Sequence, residues 1–277
     1  MGIRINTNVS SINTRRHLAN STNMMGKSME KLSSGLRINR AGDDAAGLAI
    51  SENLKSDVRA LDQAARNAAD GISMIQTAEG SLDEVSNILL RMKELAEQSL
   101  NGTLSNTDRG YLNTEYTALT SEITRIRDNT EFNSVKLLSG AGGAVKIQVG
   151  IGTATADSVS VSLTANYAAA PASGLGLASQ IGTATRAGVA MGQIDAAISR
   201  VVQGRGTFGA IQNRLESSIR NINMTSENLS AANSRIRDVD VAHETSLLTS
   251  YQILQQAGVA MLAQANMTTG LAMSLLQ

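Results

Sequence analysis

The residues best suited to chemistry lie in one short run near the C-terminus. The segment from Asp238 to Glu244 offers carboxylate and imidazole groups of the kind that bind zinc. Nothing in the sequence completes a coordination shell around it, because the chain has only 2 His and the other is His17. We therefore expect Asp238 and Asp240 to lie at the start of a helix. We expect His243 and Glu244 in solvent or at a contact between subunits.

A second pair of carboxylates, Asp43 and Asp44, could suggest acid–base chemistry. No nucleophile or second general acid accompanies the pair. Because Gly42 precedes it and a long apolar pattern follows, we expect both aspartates to cap a helix. The sequence has 0 Cys, which excludes thiolate metal sites and cysteine nucleophiles, and it contains no phosphate-binding loop. The sequence predicts no catalytic residue, no metal site and no cofactor, and so a protein that is not an enzyme.

Charge is balanced overall, with 24 Lys and Arg against 24 Asp and Glu, but it is unevenly distributed. Residues 1–42 are basic and contain no aromatic residue to stack on bases, so we expect no nucleic-acid partner. Nothing from Thr245 to Gln277 is charged, yet amides such as Gln255 and Gln256 argue against insertion into lipid. The first six residues lack the apolar region of a secretory signal.

The apolar composition favours long helices that pack on helices. The 277-residue chain contains no Trp, 2 Phe, 4 Tyr and 1 Pro, so aliphatic residues and Met must form the core. Apolar residues recur at alternating steps of four and three along two segments, which is typical of a coiled coil. One seam comprises Leu54, Val58, Leu61, Ala65, Ala68, Ile72 and Ile75 and continues with Leu82, Val85, Leu89, Met92 and Ala96; the other comprises Ile211, Leu215, Ser218, Ile222, Thr225, Leu229, Ala232, Ile236 and Val239.

The length of the first seam bears on the architecture. A helix over residues 44–99 would be about 80 Å long, whereas a compact globule of this size has a diameter near about 50 Å. The sequence therefore predicts a mainly α fold, an elongated rod of long antiparallel coiled-coil helices from both chain ends, unless Gly71 or Gly80 breaks the helix. A shorter helix is expected after the Asn101-Gly102 break.

A different pattern separates the two helical halves. Residues 139–185 are rich in Gly, Ala, Ser and Thr. Two runs alternate strictly between apolar and polar residues, from Val145 to Ile151 and from Val159 to Leu163. Alternation on both sides of a Gly-containing segment predicts a small β-hairpin, followed by surface loop.

Both chain ends carry apolar stripes that one chain cannot bury alone. The two terminal helices could pair, but one partner covers only one side of a helix, and the C-terminal segment is uncharged on every side. We therefore expect neighbouring copies of the chain to cover the remaining faces. The residues predicted to form this polymerisation core are Ile5, Val9, Met25, Met29, Leu32, Leu247, Tyr251, Leu254 and Met261.

Ordered strings at both ends resemble the bacterial flagellins. The N-terminal block reads Ile5-Asn6-Thr7-Asn8, then Leu32-Ser33-Ser34-Gly35-Leu36-Arg37-Ile38-Asn39 and Ala41-Gly42-Asp43-Asp44-Ala45-Ala46-Gly47. The C-terminal block includes Gly209-Ala210-Ile211-Gln212-Asn213-Arg214-Leu215, Ser234-Arg235-Ile236-Arg237-Asp238 and Ile253-Leu254-Gln255-Gln256-Ala257-Gly258. The resemblance covers nearly the whole chain outside residues 140–185. It is that of a minimal form without large outer domains.

The resemblance implies a domain organisation and a function. Residues 1–42 and 235–277 would form an inner terminal coiled-coil domain, and residues 43–234 a rod domain with the hairpin and loop region at about 140–185. The chain would polymerise with itself into an extracellular helical filament that serves as a swimming propeller. It would be exported unfolded through the flagellar type III apparatus, and its termini would order on assembly.

The resemblance also implies partners beyond the chain itself. These are an export chaperone for the C-terminal segment, the filament cap and the hook–filament junction proteins. A vertebrate Toll-like receptor recognises some flagellins through an Arg, a Leu four residues later and a Glu on the next helix. By that pattern Arg91, Leu95 and Glu115 are candidate receptor contacts. The alternative function is that of a hook–filament junction protein, which shares the terminal helices.

Overall fold

The computed structural model describes residues 7–140, 143–152, 154–163, 177 and 180–274, and side chains as far as residue 267. The described residues form five long helices: α1 (Val9–Ser34), α2 (Ala45–Leu100), α3 (Asn106–Asn129), α4 (Ala184–Arg237) and α5 (Val241–Ser274). Two antiparallel hairpins complete the fold: β1 (Glu131–Phe132) with β2 (Val135–Lys136), and β3 (Ala144–Gln148) with β4 (Ser158–Ser162). The predicted class, mainly α with a small hairpin region, is confirmed.

Helix α2 runs without interruption through both glycines that could have broken it. Its 56 residues correspond to about 84 Å at 1.5 Å per residue. At its start, the Asp44 carboxylate accepts the backbone N–H of Gly47 at 2.9 Å and caps the helix, as predicted. Asp43 has a different role, because its carboxylate accepts the backbone N–H groups of Arg40 and Asn39 in the preceding turn. These two bonds lower the pKa of Asp43.

The contacts divide the chain into two compact units. One contains the described residues up to Ser56 and those from Asn228 onward, and the other spans Asp57–Glu227. The dividing points fall inside α2 and α4, whereas the sequence suggested residues 42 and 234. The rod and inner domains with those boundaries stay a prediction.

The unit Asp57–Glu227 has a core built from three helices. The four-three seam of α2 is buried as predicted, with Leu82, Val85, Leu89, Met92 and Ala96 at 0% exposure. Helix α4 runs antiparallel to α2, since Lys93 pairs with Asp195 at 2.7 Å and Arg205 pairs with Asp83 at 2.7 Å. The buried side chains contributed by α3 and α4 are Tyr116, Ile123, Ala187, Ala190, Ile194, Ala197, Val201, Phe208, Leu215 and Ile222.

The β3–β4 hairpin closes one part of this core. Its register pairs Ile147 with Val159, and both side chains are buried. Gly71 of α2 lies directly under the hairpin, where an added Cβ would collide with the Ile147 side chain and come within 3.3 Å of Leu215 Cδ1. The absence of a side chain at Gly71 therefore lets the hairpin approach the helix closely.

Candidate assembly surface

Helices α1 and α5 form an antiparallel pair within the unit that contains both chain ends. At one end of the pair, the Asn8 amide donates to the Ala265 carbonyl oxygen at 2.8 Å. In the middle, the Ser21 hydroxyl donates to the Tyr251 carbonyl oxygen at 3.2 Å. These contacts pair the two terminal segments within one chain, as the sequence predicted.

The faces that touch within the pair combine small or polar residues with larger apolar ones. Gly258 lies against Leu18, and a Cβ added at Gly258 would be 3.3 Å from Leu18 Cδ1. The α1 residues of reduced exposure follow the four-three spacing as Ser11, Thr14, Leu18, Ser21, Met25, Ser28 and Leu32. Their counterparts on α5 are Leu247, Leu248, Tyr251, Gln255, Gly258, Leu262 and Ala265. The small and polar members of this seam bury little apolar area, so they add little to the stability of the pair.

Other large apolar side chains of the same two helices point outward. Ten of them remain between 46% and 63% exposed: Val9, Ile12, Met24, Met29, Val241, Ile253, Leu254, Val259, Met261 and Met267. Single exposed apolar residues are ordinary, but a concentration on one helix pair marks an interaction surface. We call these ten residues the outer apolar face.

The structure divides the predicted polymerisation core into two groups. Met25, Leu32, Leu247 and Tyr251 are partly buried against the partner helix. Val9, Met29, Leu254 and Met261 belong to the outer apolar face, and Ile5 lies outside the described residues.

Helix α5 presents two kinds of face. Tyr251, Gln255, Gly258, Leu262 and Ala265 have reduced exposure, whereas Leu254 and Met261 are exposed. Because α5 carries no charge from Thr245 onward, hydropathy alone does not distinguish these two faces. The assignment of Leu254 and Met261 to contacts between subunits stays a prediction.

An apolar groove of about 500 Å³ runs along the α1–α5 pair. Its walls combine the inner seam and the outer apolar face, and they include Leu18, Met24, Tyr251, Leu254 and Met261. A concave apolar surface on a helix pair can accept side chains of another helix.

The two linkers beside this helix pair are tied together by backbone hydrogen bonds. Gly35 ends α1 in the left-handed conformation, with φ of 71°, which a glycine adopts without strain. The Arg37 N–H donates to the Arg237 carbonyl oxygen at 2.6 Å, and the Val239 N–H donates to the Gly35 carbonyl oxygen at 3.0 Å. The linkers thus hold the ends of α1 and α5 side by side.

The first turn of α5 corrects one expectation about the acidic run. Asp240 caps the helix, since its carboxylate accepts the His243 N–H at 3.1 Å, and His243 is exposed. Glu244 is not in solvent, because only 6% of it is exposed. Its carboxylate lies 3.8 Å from the Lys31 ammonium on α1. A buried charge is retained where a partner compensates its desolvation, which hydropathy alone did not reveal.

The predicted receptor contacts lie on α2 and α3. The Arg91 guanidinium contacts the carboxylates of Glu94 and Glu115, both at 2.9 Å, and all three side chains are well exposed. These carboxylates raise the pKa of Arg91. Leu95 is 1% exposed and packs in the core, so its side chain is not accessible to a partner in this conformation.

The described residues offer neither a metal site nor a membrane span. Within the described ranges, no three His, Asp or Glu side chains cluster in a way that could hold a metal ion. No described helix combines the length and apolarity needed to cross a membrane.

Comparisons with known proteins agree with this geometry. Residues 5–142 match the bacterial flagellin N-terminal helical region, and residues 191–276 match the bacterial flagellin C-terminal helical region. A flagellin of Halalkalibacterium halodurans is 49% identical over 95% of this chain and 95% of its own length. The flagellar filament 33 kDa core protein of Treponema phagedenis is 42% identical over 99% of both chains.

A solved structure of a flagellar hook-associated protein from Vibrio parahaemolyticus is also similar in fold. Its TM-score is 0.58, and the match covers 71% of this chain and 100% of that one. Its identity of 16% shows a shared fold alone. Both family regions and the closely similar full-length relatives agree, and the chain belongs to the bacterial flagellin family.

Proposed function

We propose that this chain is a structural subunit that polymerises with copies of itself into a bacterial flagellar filament. The observation that carries the proposal is the outer apolar face, which covers the sides of α1 and α5 that the pair leaves open. Water-exposed apolar area on this scale is a cost to the single chain and a gain when neighbours cover it.

The charge pattern supports copies of the same chain as the occupants. From Thr245 onward α5 carries no charge, so it presents nothing that must stay hydrated when it is surrounded. The groove along the pair is apolar, and the outer apolar face supplies side chains of matching chemistry. One surface therefore provides both partners of a head-to-tail contact, which extends into an open helical polymer when it does not close.

The hook–filament junction alternative is less favoured. Relatives that are 42–49% identical over almost the full chain are flagellins and filament core proteins. The hook-associated likeness is restricted to the fold. Assembly also distinguishes the two functions, because a filament subunit should form long tubes alone, whereas a chain that stays soluble would favour the junction component.

Export and capping follow from family membership and belong to the same proposal. The filament is extracellular, and the chain is exported unfolded by the flagellar type III apparatus. An export chaperone covers the C-terminal segment before assembly, and the filament ends contact the cap and the hook–filament junction proteins. The absence of Cys is compatible with this route, because no disulfide has to form outside the cell.

A vertebrate Toll-like receptor is a further proposed partner, on the basis of the family resemblance. Of the three candidate residues, Arg91 and Glu115 are exposed and joined by an ion pair, so they present one charged patch. Leu95 is buried in the core and is therefore not offered as a direct contact. Arg91→Ala and Glu115→Ala, measured for receptor binding against the unaltered chain, test this assignment, and binding unchanged in both variants would remove it.

The main experiment is an assembly assay on the purified full chain. The chain is made monomeric by mild heat or acid, neutralised, given filament seeds or an excluded salt such as sulfate, and imaged after sedimentation. We expect long regular tubes from the full chain and none after deletion of residues 245–277. The variant Gln256→Ala, an exposed change on the same helix, is the matched control. A full chain that stays soluble under all these conditions would contradict the proposal.

A further inference from the structure

The inner seam of the α1–α5 pair specifies its register weakly. Half of the side chains that meet there are small or polar, among them Ser11, Thr14 and Ser21 on α1 and Gln255 and Ala265 on α5. A seam of this kind loses little when one helix slides along the other by a heptad, because the four-three spacing repeats. The backbone hydrogen bonds between the linkers hold one end of the pair, and a further feature is needed to fix which side chains face each other along its length.

Glu244 supplies a charge at one end of this seam. It is the last charged side chain of the sequence, since no Asp, Glu, Lys, Arg or His occurs from Thr245 to Gln277. Its side chain is 7% exposed and that of Lys31 is 29% exposed, with 3.8 Å between the Lys31 Nζ and the Glu244 Oε2. Ser28, one turn earlier on α1, is 3% exposed, so this part of α1 is closely covered.

Sliding the helices by seven residues removes this partner. Because the pair is antiparallel and Lys31 faces Glu244, a slip by one heptad in one direction places Glu244 opposite Met24. Met24 cannot pair with a carboxylate, and a buried charge without a partner is strongly disfavoured. A slip in the other direction moves Glu244 past Ser34, the end of α1, and would break the backbone hydrogen bonds between the linkers.

Sliding by four residues leaves a cation available but creates a steric conflict. In that register Lys27 replaces Lys31 opposite Glu244, so charge alone would tolerate the slip. However, Leu18 would then face Leu254 in place of Gly258. In the native register Leu18 fits because Gly258 has no side chain, and a Cβ added there would lie 3.3 Å from Leu18 Cδ1. A second leucine at this closely packed layer would push the helices apart.

We propose that the Lys31–Glu244 ion pair and the Leu18–Gly258 contact together set the register of the terminal helices. The inference rests on the proposed function in one respect, since a fixed register is what gives every subunit the same outer apolar face. Lys31 and Glu244 are positioning residues, and they act on assembly through the phase of α5. The ion pair excludes heptad slips and the glycine contact excludes the four-residue slip.

The absence of Cys allows the register to be read by engineered disulfides. In the native register the Ser11 hydroxyl donates to the Asn266 side-chain oxygen at 3.1 Å, so a Ser11→Cys, Asn266→Cys chain should cross-link within one molecule on mild oxidation. A Ser11→Cys, Val259→Cys chain reports a seven-residue slip. Both are oxidised in soluble and in assembled protein, then dissolved in denaturant and separated by gel mobility and mass.

Charge reversal provides the central comparison. We expect Glu244→Lys and Lys31→Glu each to lower the native cross-link by about tenfold or more and to raise the slipped one. The exchange Lys31→Glu with Glu244→Lys should restore the native cross-link. Arg16→Glu, on the exposed side of the same helix and far from Lys31, is the matched control and should leave it unchanged. A native cross-link that survives Glu244→Lys, or that the exchange does not restore, overturns the ion-pair assignment.

Size exchange tests the other contact independently. Gly258→Leu should lower the native cross-link, and the combination with Leu18→Ala should restore it, because the pair of volumes is then conserved. Unchanged cross-linking in Gly258→Leu overturns the glycine assignment. If the unaltered chain cross-links in register but never forms filaments, the proposed function fails while the register inference stands, so the two failures are distinguishable.

Discussion

Leu254 provides a sharp test of whether the outer apolar face drives assembly. Complete burial of a leucine side chain is worth about 1.5–3 kcal/mol. Leu254 is 56% exposed in the single chain, so roughly 1–1.5 kcal/mol of this remains to be gained when a neighbour covers it. Leu254→Ala removes most of that gain at every subunit contact. We therefore expect the concentration of subunit left in solution at equilibrium to rise roughly five- to twelvefold.

The folding stability of the single chain should not follow this change in assembly. Because Leu254 makes few contacts within the chain, Leu254→Ala should leave its thermal unfolding nearly unchanged. Leu89, which is 0% exposed, is the matched leucine in the core. Leu89→Ala should lower the free energy of unfolding by about 2–5 kcal/mol in soluble protein. The two variants thus separate loss of assembly from loss of folding.

The assay is sedimentation of seeded filaments followed by measurement of protein in the supernatant, paired with a thermal melt of the soluble chain. An unchanged supernatant concentration for Leu254→Ala would refute the reasoning, because the exposed area would then not be covered by neighbours. A strongly lowered melting temperature for this variant would also refute it, since Leu254 would then be part of the folded core.

Three further predictions concern the stability of the single chain. Gly71→Ala should destabilise it by about 1–2 kcal/mol, because the new Cβ collides with Ile147. Gly80→Ala should stabilise it by up to about 1 kcal/mol, because nothing lies within 4 Å of the added Cβ. A denaturant titration in which both changes in unfolding free energy have the same sign would contradict this. Burial raises the pKa of Tyr116 from 10.0 to about 12, so the stability that the neutral phenol contributes below pH 10.0 should be lost as the pH rises towards 12. Tyr116→Phe should abolish that loss. The variant should not destabilise the chain at neutral pH, since the hydroxyl makes no hydrogen bond within the described residues. The hydroxyl and backbone N–H of Ser105 lower the pKa of Asp108 below 3.8, so the stability that this carboxylate contributes is present above pH 3.8 and lost as the pH falls through the lowered value. Asp108→Asn should lower the free energy of unfolding at neutral pH and reduce the loss of helical signal in acid, measured by circular dichroism. An unaltered acid response would exclude Asp108 as a cause.

The sequence predicts the elements whose patterns are long. Helix α2 repeats its apolar steps often enough that two glycines do not obscure them, and packing then outweighs the poor helix propensity of Gly71. The β3–β4 hairpin is predicted for the same reason, because each strand alternates over five residues. By contrast, the β1–β2 hairpin has strands of two residues, which leave no period to detect. Its turn is recognised only in the structure, from the positive φ angles of Asn133 and Ser134.

The candidate surface is predictable in kind but not in phase. The uncharged C-terminal segment indicates burial by more than one partner, and the exposure of Leu254 and Met261 agrees with that expectation. Which face meets α1 depends on the match between Leu18 and Gly258 and on a charge pair about 200 residues apart along the chain, formed by Lys31 and Glu244. The hydropathy pattern of a single segment carries no information on either contact. The face of α5 that meets α1 can therefore be identified only from the folded pair.

The placement of many large apolar residues outside the pair couples the ends of the chain to assembly. If Leu254 and Met261 faced α1, the pair would be more stable alone and would offer less apolar area to neighbours. Because Gln255 and Leu262 face α1 instead, the apolar area of Leu254 and Met261 is left for contacts with other copies. We expect such ends to gain order when neighbours in a filament cover that area. The same arrangement makes register important, because a weak inner seam must still present one outer face.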